Sequence, residues 1–169
     1  MRLPRGFDNA LMMPPAQRGV VDGALLASLR AWCEGSDVDA PNKPLRVASI
    51  APHDGLDGVA CALDGSHALA RLGRWRGLSW RLQILWRECV TMRGPSARDP
   101  WDCGWWRPGS LGPAEAFRPR RATLLMVREC DAAAAAALLA ALHANSPAFT
   151  QPVRVVVVSA SAIAGIERR

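Results

Sequence analysis

Ala122-Thr123-Leu124-Leu125-Met126-Val127, then Asp131 opening an alanine-rich run to Leu142, then Val153-Arg154-Val155-Val156-Val157-Val158: this stretch decides the fold class. A continuous valine run suits a strand covered on both faces, as in the middle of a layered α/β sheet. Between the two apolar runs, Asp131 reads as an N-cap and Asn145 and Pro147 as stop signals for a helix. That helix is apolar nearly all round, which predicts burial on several sides. The connection is long enough for a crossover, so a parallel β-α-β unit is expected, with an antiparallel split arrangement as the alternative.

Upstream, Asp22 reads as an N-cap followed by Leu25, Leu26, Leu29 and Trp32 at helical spacing, with Gly35 closing the run. Leu45 to Ala51 reads as a strand, and His53 to Gly58 as a loop. Val59 to Leu63 and Ser66 to Leu72 flank Asp64-Gly65, a dipeptide favoured in two-residue hairpin turns. In residues 78–87, Leu78, Trp80, Leu82, Ile84 and Trp86 alternate with mostly polar neighbours, which predicts a half-buried strand. A helical alternative places Leu78, Leu82, Leu85 and Cys89 on one stripe but leaves three large apolar residues off it. From Arg93 to Arg120, Pro and Gly are interleaved so densely that a long loop is expected.

The resulting expectation is α/β (or α+β), with a single mixed β-sheet, a C-terminal β-α-β unit and few helices. Residues 1–20 read as an irregular N-terminal arm. Residues 21–169 read as a single α/β domain with a Trp/Pro/Gly-rich loop at about 93–120. Half of the 169 residues are hydrophobic, enough for a core, and no apolar run approaches the ~20 residues of a membrane span. Met1 to Phe7 carries charge with no apolar stretch behind it, so no signal peptide is read and a cytoplasmic location is expected.

The formal charge is +6, almost all of it arginine, with Lys43 the only lysine. Guanidinium forks suit phosphate, but Lys, Tyr, Phe, Ile and Asn are scarce together while Ala, Gly, Pro and Arg abound. That pattern marks a GC-rich, bacterial-type genome and explains the arginine preference without a functional cause. The five cysteines, at 33, 61, 89, 103 and 130, are odd in number and form no C-x-x-C motif, so reduced thiols are expected.

Motifs that carry chemistry are sparse. His53, Asp54, Asp57, Asp64 and His67 bring imidazole and carboxylate to Gly-rich turns, but their spacing matches no metal signature, and Asp beside Gly is ordinary turn chemistry. No metal and no cofactor is expected; neither phosphate-binding glycine motif occurs. No nucleophile–base constellation is present, so no catalytic residue is named. If the terminal unit is parallel, Glu129, Asp131, Ser159 and Ser161 lie near strand carboxyl ends, where open α/β sheets bind ligands.

Residues 74–120 are dense in Trp and Arg. Arg74, Arg76, Arg81 and Arg87 beside tryptophans suit single-stranded nucleic acid. Trp101, Trp105, Trp106, Arg107 and Phe117 lie in turn-rich sequence and read as an interface for a protein partner or a second copy. The function expected is therefore a non-catalytic protein–protein interaction module: an adaptor, chaperone-like or regulatory subunit. Nucleic-acid binding is the alternative, and a small-molecule or metal-dependent enzyme the second alternative.

Overall fold

The computed structural model describes residues 9–16, 21–35, 43–64, 75, 78–79, 82, 86, 101–119, 121–128, 132–159 and 167–168. Their elements are β1 (Met12–Met13), α1 (Gly23–Glu34), β2 (Leu45–Ile50), α2 (Leu56–Leu63) and β3 (Asp102–Trp106). After these come α3 (Leu111–Glu115), β4 (Thr123–Val127), α4 (Ala132–Asn145), β5 (Val153–Val158) and β6 (Glu167–Arg168). The strands form one six-stranded sheet in the order β1-β3-β4-β5-β2-β6. β1 runs antiparallel to β3, and the other neighbouring pairs are parallel, which makes the sheet mixed.

The β4-α4-β5 unit is parallel, with Leu125 opposite Val155 and Val127 opposite Val157. All six residues of β5 are buried, because successive side chains enter opposite cores. Val156 and Val158 pack with Leu29 and Trp32 of α1 and with Leu56, Val59 and Leu63 of α2. Val153, Val155 and Val157 pack on the other face with Leu138 and Leu142 of α4, Ala114 of α3 and Phe117.

Helix α1 starts and stops where its caps require. The Asp22 carboxylate accepts from the amides of Ala24 (2.9 Å) and Leu25 (3.1 Å). Gly35 ends the helix at φ 72°, a left-handed conformation that costs glycine little. Helix α4 stops at Asn145, as its sequence indicates. Its burial differs from expectation: Ala135, Leu138, Leu142 and Asn145 form one inward stripe, while Ala136, Ala137, Ala140 and Ala144 face solvent. An alanine methyl is small enough to leave in water, so an all-alanine flank carries no directional signal.

Four further expectations are corrected. Val59–Leu63 is not a hairpin strand but the body of α2, where Leu56, Val59, Ala60 and Leu63 fall at i, i+3, i+4 and i+7 and are buried together. Leu78, Ser79, Leu82 and Trp86 are helical rather than extended, as is Trp75; the alternation of Trp with Arg imitates a strand, but the spacing of four in 78, 82 and 86 is helical. Within the expected loop at 93–120, residues 102–106 are β3 and 111–115 are α3, joined by a turn in which Gly109 takes φ 83°. β3 escapes a periodicity test because every one of its residues is buried. The N-terminal arm is not irregular throughout: β1 adds to the edge of β3, with Leu11 and Met12 in the core.

Arg46 and Arg154 are also buried, although charged, on facing register positions of β2 and β5. Arg46 donates to the Trp32 carbonyl (3.1 Å), and Arg154 to the carbonyls of Cys33 and Lys43 (both 3.1 Å). The two guanidinium groups thus hold the carbonyl end of α1, where the helix dipole is negative. Burial, reinforced by Arg46, draws the Arg154 group down to about 10, partly countered by the Cys33 thiol.

Candidate functional site

The carboxyl ends of β2, β3 and β4 meet around the start of α2. β2, the connecting residues 51–55 and α2 reproduce the strand–turn–helix order in which backbone amides bind phosphate. Here the first turn of α2 carries Asp57. Its Oδ1 accepts from the Trp105 indole Nε1 (2.5 Å) and the Ala16 amide (3.1 Å). Its Oδ2 accepts from Arg128 Nη2 at 2.8 Å, and the Arg128 guanidinium lies 4.0 Å from the Trp105 ring centroid. One carboxylate therefore ties together α2, the end of β3, the residue after β4 and the N-terminal segment. It also fills the helix start, where an anion would otherwise be attracted, with a carboxylate of the chain itself, paired with Arg128.

On the neighbouring strand end, His53 Nδ1 accepts from the Gly55 amide (3.0 Å), and its Nε2 lies 3.4 Å from Asp22 Oδ2. The Leu25 amide holds the Asp22 carboxyl below its usual range, partly opposed by desolvation and helped by the Ala24 amide and His53. The Ser159 amide donates to the Ile50 carbonyl (3.0 Å), closing the β5 and β2 ends onto each other.

Several of the residues named for a ligand or metal lie outside the described residues. Of Glu129, Asp131, Ser159 and Ser161, only Ser159 falls among the described residues. Asp57 sits at one end of α2 and Asp64, buried, at the other beside Trp101; His67 lies outside the described residues. No group of His, Cys, Asp or Glu among the described residues is arranged to hold a metal.

Asp64 belongs with a second charged cluster at the amino ends of β3 and β4. There Asp102 Oδ1 and Arg121 Nη1 lie 3.7 Å apart, both largely buried. Burial pushes the Asp102 carboxyl up to about 7; Arg121 pulls it down and Asp64 adds to the rise. Cys33 and Cys103 are buried free thiols at this side of the molecule. Burial raises the Cys33 thiol to about 12 and Cys103 well above its ordinary value, so neither is a thiolate nucleophile at neutral pH.

The docking residues named from sequence are redistributed. Trp101, Trp105, Trp106 and Phe117 are core residues, each no more than 6% exposed. Tryptophan in a parallel strand covered on both faces has no free face, whatever the turn residues around it suggest. Arg107 alone of that set is exposed. The large apolar side chains that do face solvent include Trp75 (84%), Leu78 (50%), Leu82 (56%) and Trp86 (68%). Arg74, Arg76, Arg81 and Arg87 lie outside the described residues.

Sequence reasoning missed this redistribution and the buried pair Arg46 and Arg154. For the latter a signal existed: a single arginine inside a valine run must find carbonyl partners if the run is buried. Comparison of the chain with protein-family models, curated proteins and solved structures found no match. No helix among the described residues is long and apolar enough to cross a membrane.

Proposed function

We propose that this chain is a non-catalytic docking module that binds a protein partner through the helical residues Trp75, Leu78, Leu82 and Trp86. The observation that carries the reading is the exposure of two tryptophans and two leucines, all helical, within twelve positions of one another. Leaving them in water forfeits hydrophobic free energy that a complementary surface would recover. Tryptophan is the residue type most enriched where interfaces concentrate their energy. The start of α2, where a phosphate would otherwise sit, is filled by the chain's own Asp57, bonded to Trp105 and Arg128, which supports the non-catalytic part of the reading.

The test compares the wild-type chain with Trp75→Ser/Trp86→Ser by sedimentation velocity and by proximity labelling in cells. Loss of self-association or of specific labelled neighbours, with an unchanged circular-dichroism spectrum, is expected. Association identical in the variant, or none in the wild type by either assay, refutes the proposal.

The same stretch of chain favours a second reading. Residues 71–93 contain six arginines against one glutamate, interleaved with the exposed tryptophans. Base stacking on indole with arginine on phosphate is the mode of single-strand binding proteins. Tryptophan quenching by oligonucleotides at about 50 and about 200 mM salt separates the two readings, since phosphate contacts weaken steeply with salt and an apolar interface does not.

A further inference from the structure

Trp75, Leu78, Leu82 and Trp86 all face solvent, and all four are helical. What covers them is indicated by the charge of the stretch they lie in. Residues 71–93 hold six of the chain's 21 arginine and lysine residues but one of its 15 aspartate and glutamate residues, so five of the six net positive charges fall there. A GC-rich genome exchanges lysine for arginine; it does not strip acids from one segment and leave the rest of the chain almost neutral. Arg74 and Arg76 are chain neighbours of Trp75, Arg81 of Leu82 and Arg87 of Trp86. Neighbouring Cα atoms are about 3.8 Å apart. Any surface that covers the apolar side chains therefore comes within a Debye length, about 8–10 Å, of positive charge.

That charge selects among the occupants. A second copy would set this patch against itself, because a two-fold interface pairs the same surface on both subunits, and arginine would face arginine. Nucleic acid answers the arginines and the indoles, but Leu78 and Leu82 neither stack on bases nor bond to phosphate. An anionic bilayer would take all four side chains, yet its hold on a helix scales with the apolar area buried. Among the described residues that face is short: Leu78, Leu82 and Trp86 stand four positions apart, across about two helical turns. Anchors three to four residues apart are how a helix seats in the groove of a protein.

On the basis of the docking role proposed above, we infer that the partner is a protein presenting an apolar groove rimmed by aspartate and glutamate. The groove takes Leu78, Leu82 and Trp86, and the rim carboxylates pair with arginines of residues 71–93. The apolar anchors supply most of the affinity, while the charges choose the partner and speed the encounter.

Calcium-loaded calmodulin is the probe, a stand-in with that chemistry: an acidic protein whose Met-rich apolar groove opens on calcium and takes basic amphipathic helices. Sedimentation velocity of the full chain mixed with calmodulin should show a saturable complex in calcium and none in EGTA, which closes the groove. Trp75→Ser/Trp86→Ser should abolish the complex. Arg74→Gln/Arg76→Gln and, separately, Arg81→Gln/Arg87→Gln should each weaken it about threefold to tenfold, the worth of two exposed ion pairs, with an unchanged circular-dichroism spectrum. Either pair serves if the other variant fails to fold. No complex in calcium, a complex that persists in EGTA, or one indifferent to both arginine pairs would overturn the inference. So would flotation of the wild-type chain with phosphatidylglycerol vesicles, or binding to oligothymidylate, if lost in Trp75→Ser/Trp86→Ser. Labelled neighbours that disappear in Trp75→Ser/Trp86→Ser while calmodulin is ignored would leave the docking role standing and remove the acidic groove alone.

Discussion

Replacing Asp102 by asparagine should stabilise this protein at pH 8, although it removes one member of a buried ion pair. Asp102 begins β3 with its side chain 9% exposed, and Arg121 stands 3.7 Å away, too far for a short charge-assisted bond. Burial dominates the balance, and the carboxyl rises from an ordinary 3.8 to about 7. Below pH 4 the group is protonated in folded and unfolded chains alike, and its titration costs nothing. Between about 4 and about 7 the unfolded chain releases the proton while the folded chain retains it, so stability falls as pH rises. Above 7 both forms are ionised and the loss is complete.

That rise corresponds to about 4 kcal/mol, an upper limit because local relaxation and water entry soften a buried charge. The asparagine amide would imitate the protonated acid at every pH. Urea unfolding of both proteins from pH 4 to pH 8 is the assay. The wild-type midpoint should fall relative to Asp102→Asn across that window, the two converging at the acid end. Parallel curves, or an asparagine variant that is weaker at pH 8, would refute the reasoning and make the pair a net stabiliser.

Arg154→Met should lower stability by about 2–4 kcal/mol, since the carbonyls of Cys33 and Lys43 lose their donor inside the core; thermal unfolding would detect it. Asp57→Ala leaves the Trp105 indole and the Ala16 amide without their acceptor, and should cost about 1–3 kcal/mol with faster hydrogen exchange across residues 9–16. Alkylation followed by peptide mass analysis should label Cys61, which is partly exposed, well before buried Cys33 and Cys103; equal rates would contradict their burial.

Local chemistry in the sequence determined a definite part of this protein. The caps of α1, Asp22 and Gly35, act within one turn of the chain, so they could be read without knowing any tertiary contact. The parallel β4-α4-β5 unit was legible because a strand buried on both faces must be apolar throughout. The strand at Leu45 follows from the same local rules. Chain composition likewise excluded a long apolar span.

Tertiary structure alone decided the rest. Asp102-Cys103-Gly104-Trp105-Trp106 has no period to recognise, and it becomes a strand because β1 and β4 flank it and cores cover both its faces. The same placement moved Trp101, Trp105 and Trp106 from an imagined surface into the interior. Asp57 looked like a turn residue, yet its carboxylate binds groups up to 71 positions away along the chain, a convergence that spacing cannot encode. Periodicity reports which face of one element is apolar; which element covers that face, and what gap is left between them, is set by long-range packing.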